Sequence, residues 1–355
     1  MNEHGVRGAL GENVSAQPAL TVCRWDLDKT YLVSHLESLR HLLKIPFEKA
    51  TDKQAVPGVI ELIRAMRRAA LVRGERQQVY FISASPPQIG GAIKEKLLLD
   101  GIEYEGISFK RQVHHLVRGR LDVLREQIGY KLGRLLAAAG STRESSRDLL
   151  FGDDWESDPL IYSLYADILA GRVDSESCLR LLRRARVHRD YLEEIEKQLE
   201  RLTSPIRVEN IFILRQGMRP ASDLEAFGPR LSGLDNYLEC ALLLYAQGLL
   251  DLPGVEDVAR GVGGHPAANA ASFEAVASRR RGMREKLSPA RSRLLRSGLM
   301  LRVGAGSPVR RLLEALRRRF GSAPGRSTFD FVPDYEALID SWSRAGRRER
   351  HDARS

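Results

Sequence analysis

Short apolar runs alternate along the chain with longer stretches of helical period. "ALTVCRWD" (19–26), "QVYFIS" (78–83), "EGISF" (105–109), "RDLLFGDD" (147–154) and "VENIFILRQ" (208–216) have strand length and buried-strand composition. Between them, residues 33–50 and 120–140 predict helices. "VPGVIELIRAMRRAALVRG" opens on a Pro-Gly turn and continues with Val59, Leu62, Ile63 and Met66 at helical spacing. "QIGGAIKEKLLLDG" reads as a helix closed by Gly101, and "DPLIYSLYADILAG" as one that starts at Pro159. Strands that are apolar throughout, separated by helices, predict an α/β fold: a doubly wound parallel sheet covered on both faces. In such sheets ligands sit beyond the C-terminal ends of the strands. The polar residues that close these runs should therefore meet along one edge.

Beyond this core the pattern changes. Residues 175–202 read as one long charged helix, inserted before the sheet resumes at 208. Residues 222–260 predict helices that finish the domain. "GVGGHPAANAAS" (261–272) follows no strand and reads as a linker, not as a nucleotide loop. The expected organisation is a loose leader over 1–17, one domain over 18–260, and a linker with an Arg-rich, helical or partly disordered tail over 261–355. Within the tail, "PVRRLLEALRRRF" (308–320) carries Leu312, Leu313, Leu316 and Phe320 as an apolar stripe among arginines.

Composition adds limits. An apolar share of 43% and a charged share of 29% allow a buried core. The three cysteines are far apart and lack the pairing that zinc or redox sites need, so a reducing cytoplasm fits. The N-terminus shows no apolar signal-peptide region. The most apolar helix, 236–250, is too short to span a bilayer and carries Glu239 and Gln247. The net charge of +10 is uneven: residues 271–355 hold 20 Lys and Arg against 9 Asp and Glu. The rest of the chain is close to neutral, so arguments from basicity concern the tail alone.

Two acid clusters close predicted strands: "DLD" at 26–28 and "GDDWESD" at 152–158. Clustered carboxylates repel one another unless a hard cation lies between them, and Mg²⁺ takes carboxylates, water and phosphate oxygens. A carboxylate can also attack phosphorus and form an aspartyl-phosphate. A second acid two residues away, on the same face of an extended chain, can protonate the leaving oxygen and later activate water. Leu27 between them would point the other way.

These residues resemble a known family. "DLDKT" fits the DxDxT motif of haloacid-dehalogenase-superfamily (HAD) phosphatases. "VYFISAS" looks like their second motif, Lys131 in "GYKLGRLL" their third, and "GDDWESD" an acidic fourth. The resemblance covers roughly residues 19–220, with the motifs in order. A closer resemblance, to actin-patch-associated phosphatidate phosphatases, shows in "VPGV", "YFISASP", "ISFK" and "GDDWESDPLIY". This chain departs from that subfamily at Lys29, where another acid is frequent, and in "GDD" for "GDS".

The resemblance implies a Mg²⁺-dependent phosphomonoester hydrolase with these roles. Asp26 is the nucleophile and Asp28 the general acid and base. Asp26, the backbone carbonyl of Asp28, and Asp153 hold Mg²⁺. Ser83 donates a hydrogen bond to the phosphoryl group. Lys131 neutralises charge, and Lys110 competes for that role or contacts substrate phosphate. Asp158 orients Lys131 or a metal-bound water, with Asp154 as the alternative.

About fifty residues separate Asp26 from Ser83, and about as many separate Ser83 from Lys131. The scaffold consumes most of both gaps, so any cap is small. An open site would suit a bulky substrate: a lipid head group such as phosphatidate, a nucleic-acid end or a phosphoprotein. The basic tail fits an anionic membrane surface, giving peripheral attachment, or a nucleic-acid backbone. No stable protein partner is implied. The rival reading is a non-catalytic scaffold or binding protein that uses the tail.

Overall fold

The computed structural model describes residues 18–33, 53–85, 87–110, 120–142, 144–155, 157–203, 206–216, 221–301 and 331–341, with the side chains of 120–124 and 221 excepted. The expected leader, most of the helix expected over 33–50, and the amphipathic stretch 308–320 lie outside these residues.

Six strands form one parallel sheet: β1 (Leu20–Asp26), β2 (Arg76–Ser83), β3 (Gly106–Phe109), β4 (Ser146–Asp153), β5 (Ile206–Leu214) and β6 (Leu231–Leu234). Their order is β3-β2-β1-β4-β5-β6. The chain thus winds outward from β1 in one direction, then returns and winds outward from β4 in the other. This is a Rossmann-like doubly wound sheet whose topological switch point lies between β1 and β4. The registers Asp26↔Ile82 and Asp153↔Leu214 align the ends of four strands along one edge.

Alternation along each strand divides the core in two. Cys23, Trp25, Val79, Phe81, Leu149, Phe151, Phe212 and Leu214 face one side. There they meet α1 (Val59–Val72), α2 (Gly90–Leu99), α8 (Tyr237–Ala246), α9 (Leu252–Gly261), α10 (Pro266–Ala277), α11 (Met283–Lys286) and α12 (Ser288–Arg296). Ile82, Leu150, Ile211 and Ile213 face the other side. That side is covered by α3 (Arg120–Ser141), α4 (Asp158–Leu169), α5 (Ser175–Arg184), α6 (Arg189–Leu199), α7 (Ala221–Glu225) and a helical segment at 335–341. By parity Asp26 belongs to the α3/α4 side, and Leu27 is buried on the opposite one.

Trp25 stacks flat on Phe151 with centroids 3.7 Å apart, and Phe151 stacks in turn on Phe212. Trp25 is therefore core packing. The three cysteines are free and buried. Burial pushes the Cys23 and Cys178 thiols up to about 12, which keeps them as inert core residues.

The structure differs from the sequence reading in three places. The helix expected over 175–202 is two helices, broken at Arg186, which takes a left-handed φ of 59°. His188 then caps α6 by accepting from the Asp190 N–H. The apolar period continues through buried Val187, so the pattern alone hides the break. A sixth strand, "LSGL", lies within the stretch expected to be helical. The expected linker holds the start of α10, and α10 to α12 extend the first core as far as Met300. Asn269 fastens α10 by donating to the carbonyls of Ala259 and Leu299.

Residues 331–341 pack on the body. Phe331 sits against Gly228, where a Cβ would lie 2.1 Å from its ring. The Tyr335 hydroxyl donates to Asp167 Oδ2 at 2.5 Å, and Arg172 and Arg230 hold the other oxygen. Among the described residues no helix is long and apolar enough to cross a membrane.

Candidate active site

The C-terminal edge of the sheet brings both acid clusters together at the switch point. Asp26 ends β1, Asp153 ends β4, and Asp158 opens α4; all three are fully buried. Each offers a carboxylate oxygen, and these oxygens lie within 4.8 Å of one another.

Lys131 reaches the group from α3. Its ammonium stands 2.7 Å from Asp26 Oδ1 and 2.6 Å from Asp158 Oδ1, with no exposed surface. A buried lysine needs such partners, because desolvating an ammonium without them is prohibitive. The first turn of α4 also favours a carboxylate at Asp158 through the partial positive charge of the helix N-terminus.

Local backbone makes the approach possible. Gly152 is on the α4 side of β4, and a Cβ there would lie 2.5 Å from Asp158 Oδ2 and 2.8 Å from Tyr162. Only a residue without a side chain lets α4 press this close. Tyr162 donates to the Phe151 carbonyl. Burial first, then the Asp158 carboxylate, push its phenol well above the ordinary range, so it stays neutral.

The segment after β1 turns sharply. The Tyr31 and Leu32 N–H groups both donate to the Leu27 carbonyl, and the Lys29 N–H donates to that of Leu32. Lys29 itself has φ 61°, the left-handed region. The turn brings the Asp28 carboxylate to the end of β2. There it accepts from Ser83 Oγ at 3.2 Å and Ser85 Oγ at 2.8 Å. Asp28 thus joins no carboxylate to the trio; the metal contact expected of it was through its backbone carbonyl. Thr30 donates to Asp153 Oδ2 at 3.4 Å, and the Trp155 N–H donates to Asp153 Oδ1 at 2.7 Å.

The two lysines have different partners. Lys110 pairs with Glu126 at 2.7 Å, and Tyr191 of α6 donates to the same carboxylate. Lys110 stays near the edge through its N–H, which donates to the Ser85 carbonyl. Its ammonium is committed to tying β3, α3 and α6 together, whereas that of Lys131 is committed to the aspartates. The two neighbouring acids separate likewise. Asp154 is buried and accepts from the Gln216 N–H, which fixes the loop after β5. Asp158 is the acid that meets Lys131.

Several participants escape a motif-based reading. Ser85 and Gln216 act through contacts between loops from different strands, and Gly152 through the close approach of α4 to β4. Ser85 and Gly152 lie inside the quoted motifs "YFISASP" and "GDDWESD", but nothing in those motifs shows which residues they meet.

Three carboxylates, two of them paired with one ammonium, form a group that could hold a metal ion. An all-oxygen donor set suits a hard divalent cation rather than zinc or copper. Comparison of this chain with family models, curated proteins and solved structures finds no match.

Proposed function

We propose that the chain is a Mg²⁺-dependent phosphomonoester hydrolase that works through an aspartyl-phosphate on Asp26, as its resemblance to HAD-superfamily phosphatases implies. The observation that carries this reading is Lys131 spanning Asp26 and Asp158 beside Asp153 at the switch point. Mg²⁺ held by Asp26, Asp153 and the Asp28 carbonyl would neutralise charge on the phosphoryl oxygens.

The chain's own residues do the rest. An Asp26 oxygen attacks phosphorus while the bond to the leaving oxygen breaks. Asp28, held by the Ser83 and Ser85 hydroxyls, gives its proton to that oxygen. It then takes a proton from water, whose oxygen attacks phosphorus and releases phosphate from Asp26. Lys131 offsets charge on Asp26 when the acyl-phosphate bond breaks, and Asp158 keeps the ammonium in place. Phosphatidate, or another bulky phosphomonoester, is the proposed substrate class.

The test is phosphate release from phosphatidate in mixed micelles, with and without Mg²⁺, with Asp26→Asn as control. Release that needs both supports the reading. Release from other phosphomonoesters but not phosphatidate removes the lipid assignment alone. No release from any phosphomonoester overturns the hydrolase and leaves a binding protein.

A further inference from the structure

Lys29 occupies a backbone conformation that glycine adopts freely and lysine does not. The hydrogen bond from Lys29 N to Leu32 O is made by the backbone and would form equally with glycine. A strained side chain that persists at a candidate site points to a use for it.

One contact of the side chain points to such a use. The Lys29 ammonium lies over the Trp155 indole, 2.9 Å from the ring centroid. Lys29 follows Asp26 and Asp28 on the loop after β1. Trp155 is on the loop after β4, where its own N–H fixes Asp153. A third loop joins them: the Gln216 side chain donates to the Lys29 carbonyl at 3.1 Å, while the Gln216 N–H holds Asp154. Three strand ends are therefore linked at Lys29.

We infer that Lys29 and Trp155 form a clamp that holds Asp26 and Asp153 at cation-binding distance. Lys29 is in this sense a positioning residue. The carboxylates repel one another, so without the clamp an incoming cation must also order the two loops, and its affinity falls by that cost. The inference rests on the reading of the carboxylate trio as a cation site.

The sign of the effect separates this role from plain electrostatics. Loss of a positive charge near a cation site would by itself tighten cation binding. Loss of a clamp weakens it.

The experiment is calorimetric titration of the full chain with Mg²⁺, alongside thermal unfolding in EDTA. Lys29→Gly should leave the unfolding temperature equal or higher, because strain is relieved, yet bind Mg²⁺ about tenfold more weakly, in line with an ammonium–indole contact. Lys29→Arg, which can still lie on the indole, should stay within about threefold of the parent. Trp155→Ala should weaken binding as Lys29→Gly does, and the double variant should lose no more than either alone. Unchanged or tighter binding in Lys29→Gly overturns the inference, as do additive losses or a parent chain that binds no Mg²⁺. Absent phosphate release with Lys29-dependent Mg²⁺ binding overturns the hydrolase and leaves the clamp standing.

Discussion

Gly152 and Asp158 touch across the junction of β4 and α4: a Cβ on residue 152 would stand 2.5 Å from Asp158 Oδ2. The contact explains how a carboxylate at the start of a helix comes within 2.6 Å of the Lys131 ammonium. Gly152→Ala should therefore push α4 outward. Overpacking of this kind costs about 1–3 kcal/mol. Displacing the aligned groups by an ångström should lower phosphate release about a hundredfold. Urea unfolding and a release assay on the same preparation read both effects.

Cation binding should stabilise the fold. Any ligand that binds only the folded chain adds stability by mass action, about 2.7 kcal/mol at a hundredfold excess over Kd. Mg²⁺ should raise the Tm of the parent protein, and EDTA should reverse the rise. Asp153→Asn, which leaves the Lys131 pairs intact, should abolish the increase. A rise that survives in Asp153→Asn would place the cation elsewhere.

Glu239 predicts a pH dependence away from the site. It is buried on α8 and accepts from Arg279 at 2.9 Å. Burial, opposed in part by Arg279, raises its carboxyl from 4.5 to about 7. The folded state then binds the proton more tightly than the unfolded state. The stability that Glu239 contributes is fully present below pH 4.5 and is lost as pH rises to about 7, by about 3 kcal/mol in all. Glu239→Gln should flatten denaturation midpoints across that window. A slope that remains in the variant would assign the effect to another group.

Arg24 and Asp148 form a buried pair between β1 and β4, 2.6 Å apart. Arg24→Met strands a carboxylate in the core and should cost about 3–5 kcal/mol. Arg24→Met with Asp148→Leu should recover most of that loss, because an apolar pair satisfies the same space. Denaturant titration of both variants checks the order; equal stabilities would show that the single variant leaves no buried charge.

The strands β1 to β5, the parallel sheet and the convergence of "DLD" with "GDDWESD" were legible in the sequence. Short apolar runs closed by acids admit little else, because a strand buried on both faces has no place for polar residues except its ends. The order of the motifs also picked out Lys131, Ser83 and Asp158. Other features were not legible. β6 is four residues with a glycine, too short for a period to show. α10 opens within a Gly-Pro-Ala stretch whose composition suggests a linker, and only packing against α8 and α9 makes it core. The choice between Lys131 and Lys110 turned on which ammonium meets Asp26 and which meets Glu126. The roles of Gly152 and Lys29 depend on what stands across from them. Local pattern determines which residues are buried and which strand ends carry charge, since both follow from the chain's own periodicity. Which side chains face one another across different loops was decided by the tertiary structure alone, because no local period relates residues on separate elements such as Asp26 and Lys131 or Lys29 and Trp155.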